Sequence, residues 1–86
     1  MNNSNLYAVL LGGKIKENHL MEDHHLVFVV AESESEARKL AKKKWDAESI
    51  HVDGTQKLTV VDGFKINLEK TNENSDELHV SPDYTP

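Results

Sequence analysis

Cysteine is absent from this 86-residue chain. That excludes disulfides, thiolate nucleophiles and cysteine-ligated zinc, and it fits a reducing compartment. Positive charge is scarce as well: 10 Lys and Arg stand against 15 Asp and Glu, a net charge of −5. General nucleic-acid binding needs a basic surface and is therefore not expected. Long apolar runs are also missing. Nothing approaches the roughly 20 residues of a transmembrane helix. The start, "MNNSNLYAVLLGGK", lacks the positive n-region of a signal peptide. The expectation is a cytoplasmic protein that makes no use of a membrane.

These absences narrow the sources of stability. A chain this short buries only about 60–65% of its unfolded surface, so a lone core is marginal. Small domains find added support in disulfides, metals or partners. With disulfides excluded, self-association and a histidine/carboxylate metal site remain.

What is there has a clear order. Residues 1–5 are a polar lead-in. Leu6–Leu11, "LYAVLL", is apolar on both faces, as in a strand buried on both sides. "GGK" at 12–14 is expected to stop it, and "KIKENHLMED" forms a polar connection, long for a hairpin. His25–Ala31 is a second strand, with Leu26, Phe28 and Val30 on one face and Val27 and Val29 on the other.

Ser33 and Glu36 form a capping box, in which the hydroxyl accepts from the backbone N–H of residue 36. The helix is predicted from about Glu34 to Trp45, with Ala37, Leu40, Ala41 and Trp45 as its apolar stripe. Glu34 and Glu36 in the first turn and Lys42, Lys43 and Lys44 in the last complement its dipole. "SIHV" resumes strand alternation, Gly54 marks a bulge or bend, and "KLTVV" continues. Asp62-Gly63 is a hairpin turn, followed by alternating Phe64, Ile66 and Leu68. Residues 69–86 are polar and read as a tail.

The architecture is thus α+β, in the order β-β-α-β-β: one helix on a mostly antiparallel sheet of about four strands, spanning residues 6–68. One helix about 10–12 Å across covers two or three strands spaced about 4.8 Å apart, on one face only. The first two strands are apolar on both faces, so something must cover the second. A second copy of the chain, in a two-fold homodimer, is the natural candidate. Tyr7, Val9, Val27 and Val29 are the expected interface.

Taken together, "LYAVLLGGK", "EDHHLVFVVAES", a helix ending in "KKKW", "HVD" and "VDGF" resemble an uncharacterised bacterial family, domain of unknown function 1543. The resemblance spans Leu6–Leu68 and rests on Leu11-Gly12-Gly13, His24, Phe28-Val29-Val30, Trp45, His51 and Asp53. It implies no activity, substrate or cofactor. Some members carry the domain twice, which is consistent with a single-copy chain pairing with itself. His25 stands where other members often carry an acidic or other polar residue.

Five histidines, His19, His24, His25, His51 and His79, offer metal chemistry. His24 and His25 point to opposite faces of a strand and cannot share an ion. Glu22 can share a face with His24, Asp23 with His25, and His51 with Asp53. A divalent-metal site would combine His24, His51 and Asp53, provided that their strands are neighbours. The plainer alternative is a set of polar caps at strand ends, and no H-E-x-x-H spacing is present. Gly12, Gly13 and Lys14 could cradle an anion in a loop, but Gly-Gly is foremost a turn signal and a tight turn is the favoured reading. Arg38, Lys39 and Lys42–Lys44 read as a solvated helix face, since no interleaved aromatics offer stacking platforms. His51 and Asp53 could orient a general base, yet no nucleophile motif accompanies them.

Three functional classes follow. The leading one is a dimeric interaction or binding module without catalysis of its own and without a cofactor. The second binds a metal or small ligand through the strand-end histidines and the glycine loop. The third is an enzyme with its site at a dimer interface.

Overall fold

The computed structural model describes residues 3–14 and 21–71. The connection at 15–20, with His19, and the tail from residue 72 onward, with His79, lie outside the described residues. The element order is β1 (Asn5–Lys14), β2 (Asp23–Ala31), α1 (Glu34–Lys42), β3 (Glu48–Leu58), β4 (Val60–Val61) and β5 (Phe64–Lys65). The α+β class holds. The main sheet has three strands in the order β2-β1-β3, and β4-β5 form a separate two-stranded hairpin.

β1 is the central strand and runs antiparallel to both neighbours. β2 and β3 are therefore parallel to each other, and α1 crosses between them over one face of β1. The helix begins where the capping box places it: Ser33 is extended, and its hydroxyl accepts from the Glu36 N–H at 3.2 Å. It ends at Lys42, so Trp45 lies beyond it rather than in its last turn. Trp45 still packs against the core, and its ring stacks on His25 at 5.5 Å.

The core lies between helix and sheet. Tyr7, Val9 and Leu11 from β1, Val27, Val29 and Ala31 from β2, and Ala37 and Ala41 from α1 are buried, with Leu40, Trp45, Ile50 and Val52 packed around them. Two alanines on the helix let its backbone approach the sheet closely. This corrects the expected interface: Tyr7, Val9, Val27 and Val29 belong to the core under α1. The face left open carries Leu10, Leu26, Phe28 and Val30, all exposed. Period-two alternation separates the two faces but is silent on which one the helix takes.

The glycines supply a second correction. β1 does not stop at Leu11 but continues through Gly12 and Gly13 to Lys14. Gly12 lies opposite His24 on one side and His51 on the other. The expected Gly12-Gly13-Lys14 loop is therefore strand, not an anion-cradling turn. The true hairpin turn is Asp62-Gly63, with φ of 53° and 84°. Positive φ at both central residues is the type I′ geometry that suits a two-residue hairpin.

Both edges of the main sheet are blunted. On β2, the Lys44 ammonium donates to the Phe28 carbonyl at 2.7 Å. On β3, the register shifts between Leu10/Leu11 and again between Gly12/Lys14. A lysine over an edge and bulges along it both discourage strand addition.

Candidate metal centre at the end of the sheet

The site is assembled by one row of the sheet. Gly12 in β1 is flanked by His24 in β2 and His51 in β3. His24 shares the open face with Leu26, Phe28 and Val30, because side chains alternate along a strand. Glu22, just before β2, is two residues from His24 and falls on the same side. On β3, Val52 pairs with Leu11 and Gly54 with Leu10, leaving Asp53 as the extra residue of a bulge. Bulges re-aim side chains. Two residues apart on a regular strand, about 7 Å by the strand rise, do not guarantee contact between His51 and Asp53. Here His51 Nε2 lies 2.9 Å from Asp53 Oδ1.

The other distances complete the cluster. His24 Nε2 is 3.1 Å from Asp53 Oδ2 and 4.0 Å from Glu22 Oε2. His51 Nε2 is 3.3 Å from Glu22 Oε1. One ligand atom each from Glu22, His51 and Asp53 lie within 4.8 Å of one another. Asp53 thus sits between two imidazoles, one oxygen toward each, while Glu22 closes the far side.

The strands bring the three metal-site candidates His24, His51 and Asp53 together, and they add Glu22. Its signal was present in the sequence as the i,i+2 spacing with His24. What the sequence could not supply was the neighbour relation of β2 and β3 across β1. His25, by contrast, is on the helix face against Trp45 and takes no part.

The chemistry of the donor set can be tested against geometry. Ligands about 2.0–2.1 Å from a tetrahedral zinc lie about 3.3–3.4 Å from each other. Of the four N···O separations, only His51 Nε2 to Glu22 Oε1 at 3.3 Å has that edge length; 2.9 and 3.1 Å are hydrogen-bond lengths, and the fourth is 4.0 Å. The group that brings one ligand atom each within 4.8 Å is Glu22, His51 and Asp53, with His24 on the second Asp53 oxygen. Two carboxylates and two neutral imidazoles carry a net charge of −2, which a divalent cation neutralises. Without a cation, two carboxylates converge with only half-exposed imidazoles between them. Side-chain exposures of 30–52% mean that solvent screens these pairs. Exposed ion pairs contribute about 0–1 kcal/mol each. The fold gains little from the cluster.

A short α+β domain with a two-histidine, two-carboxylate cluster at one end of an otherwise apolar sheet face is the class that fold and site define. The family model of the Domain of Unknown Function (DUF1543) matches residues 19–68, more than half of the chain, and the chain belongs to that family. Glu22, His24, His51 and Asp53 all lie inside the matched span, whereas Gly12 lies before it. No curated protein and no solved structure matches the chain. Among the described residues, no helix is long and apolar enough to cross a membrane.

Proposed function

We propose that this domain binds one divalent metal ion through His24, His51, Asp53 and Glu22. The observation that carries this is the convergence above Gly12 of one ligand atom each from Glu22, His51 and Asp53 within 4.8 Å, with His24 Nε2 3.1 Å from the second Asp53 oxygen. The ion would tie together the ends of two strands that do not pair with each other. Imidazole donors favour ions of the zinc, cobalt and nickel type over magnesium and calcium, which prefer all-oxygen shells. The test is native mass spectrometry of untagged protein purified without chelator, then titrated with zinc. One zinc per folded chain, lost in His51→Ala, supports the proposal. A wild-type chain that stays metal-free with zinc at about a hundred times the protein concentration overturns it and leaves the cluster as a polar strand end.

A second reading is favoured by a separate observation. The open sheet face presents Leu10, Leu26, Phe28 and Val30 side by side, while both sheet edges are blunted. A partner therefore meets the face rather than an edge. We propose a second copy of the chain as that partner, in a two-fold homodimer. Sedimentation velocity is the check, with Phe28→Asp expected to convert dimer to monomer. A wild-type monomer at about 100 μM, far above the Kd of a standard-sized interface, ends this reading.

A further inference from the structure

We infer that the space left by the missing side chain at Gly12 is the seat of the metal site, and that it admits a small, imidazole-preferring divalent ion of the zinc class; this rests on the metal reading above. A Cβ at position 12 would lie 2.6 Å from His51 Nε2, 2.7 Å from Asp53 Oδ2 and 3.0 Å from His51 Cε1. The atoms positioned as ligands thus fill the volume that any other residue would occupy.

Nothing else about position 12 calls for glycine. Its backbone is ordinary strand: the only glycine with positive φ is Gly63. It is no turn, since it pairs on both sides. Glycine inside a strand weakens it, and its usual meaning there is the close approach of another group to the backbone. The group that approaches here is the pair of metal-type side chains. The crowding is also of a particular kind. It involves the far ends of half-exposed side chains, which can swing away into solvent. Alanine at 12 would spare the fold and spoil the ligand geometry.

Gly13, the adjacent glycine, provides the contrast. A Cβ there would meet the Glu48 carbonyl oxygen at 3.0 Å and Trp45 Cζ3 at 3.1 Å. These are backbone and a packed ring, on the helix side of the sheet. Gly12 serves the site and Gly13 serves packing, although the two are neighbours in one strand.

The donor set narrows the ion. Calcium takes six to eight oxygens at about 2.3–2.6 Å, and magnesium keeps an octahedral oxygen shell. An imidazole nitrogen with two carboxylates, and a second imidazole beside one of them, suits an ion that takes nitrogen and oxygen ligands at about 2.0–2.2 Å.

The test compares full-length wild type, Gly12→Ala and Gly13→Ala, with zinc, cobalt(II) and calcium as probes. Wild type is expected to bind one zinc, to ignore calcium, and to give cobalt(II) the intense visible bands of a tetrahedral site. Gly12→Ala is expected to keep its circular dichroism and melting temperature but to lose about tenfold or more in zinc affinity, with weakened cobalt bands. Gly13→Ala is expected to melt earlier and, where folded, to bind zinc as wild type does. If Gly12→Ala binds zinc with wild-type affinity, or fails to fold, the inference falls while the metal reading stands. A wild type that selects calcium over zinc overturns the ion class. A wild type that binds none of the three removes the metal reading itself.

Discussion

The two faces of the main sheet are built from similar residues and meet different fates. On one, Val9 and Val29 are 0% and 2% exposed beneath α1. On the other, Leu26 and Val30 are 54% and 49% exposed. Valine and leucine supply both faces, so composition does not separate them. The helix does, by landing on the face whose neighbours include Ala37 and Ala41. The covered face holds the molecule together, and the open one carries an exposed apolar patch along its length and the histidine–carboxylate cluster at its end.

The contrast can be broken most directly in the core. Leu11 is fully buried, and Leu11→Ala is expected to cost about 2–5 kcal/mol in urea unfolding, the range for a truncated core leucine. For a small domain that is much of the total stability. An unaffected midpoint would mean that the helix does not rest where the structure puts it. Val29→Asp belongs with this set: a charge on that buried side chain should unfold the chain rather than merely separate two copies.

The histidine–carboxylate cluster gives the next largest expected effect. Zinc at about a hundred times its Kd should stabilise wild type by about 2.7 kcal/mol, through preferential binding to the folded state. His51→Ala should show no such gain in the same thermal melt. Equal gains in both would place the ion on other residues. Smaller still is the cap of α1, where Ser33→Ala should cost about 1 kcal/mol by chemical denaturation. No change would imply that the Ser33 hydroxyl does not hold the Glu36 N–H in solution.

The smallest effect sharpens the comparison from its other side. Leu26→Ala, on the open face, should change the stability of the dilute chain by no more than about 0.5 kcal/mol. The same substitution should weaken self-association in sedimentation. A large loss of stability at all concentrations would mean that part of the chain itself covers the open face.

Much of the fold was legible because its signals are local. The Ser33–Glu36 spacing marks a helix start, Asp62-Gly63 marks a hairpin, and alternation through 26–30 marks a strand with two apolar faces. The glycines misled for an equally local reason. Gly-Gly is usually a turn, and only the strands on either side reveal that Gly12 and Gly13 continue one. His24, His51 and Asp53 were readable as candidates by residue type, but their meeting depended on β2 and β3 flanking the same strand. The contact between His51 and Asp53 depended on a bulge.

The sequence by itself determined which residues alternate, where the helix begins and which side chains have metal-type chemistry. These are properties of residues close together in the chain, governed by dihedral preference, capping and spacing. Tertiary structure alone decided which apolar face became core, that Gly12 became the floor beneath two histidines, and that Glu22 joined them. Each of those outcomes requires distant segments to choose a side and a register, and that choice is made by packing rather than by any local pattern.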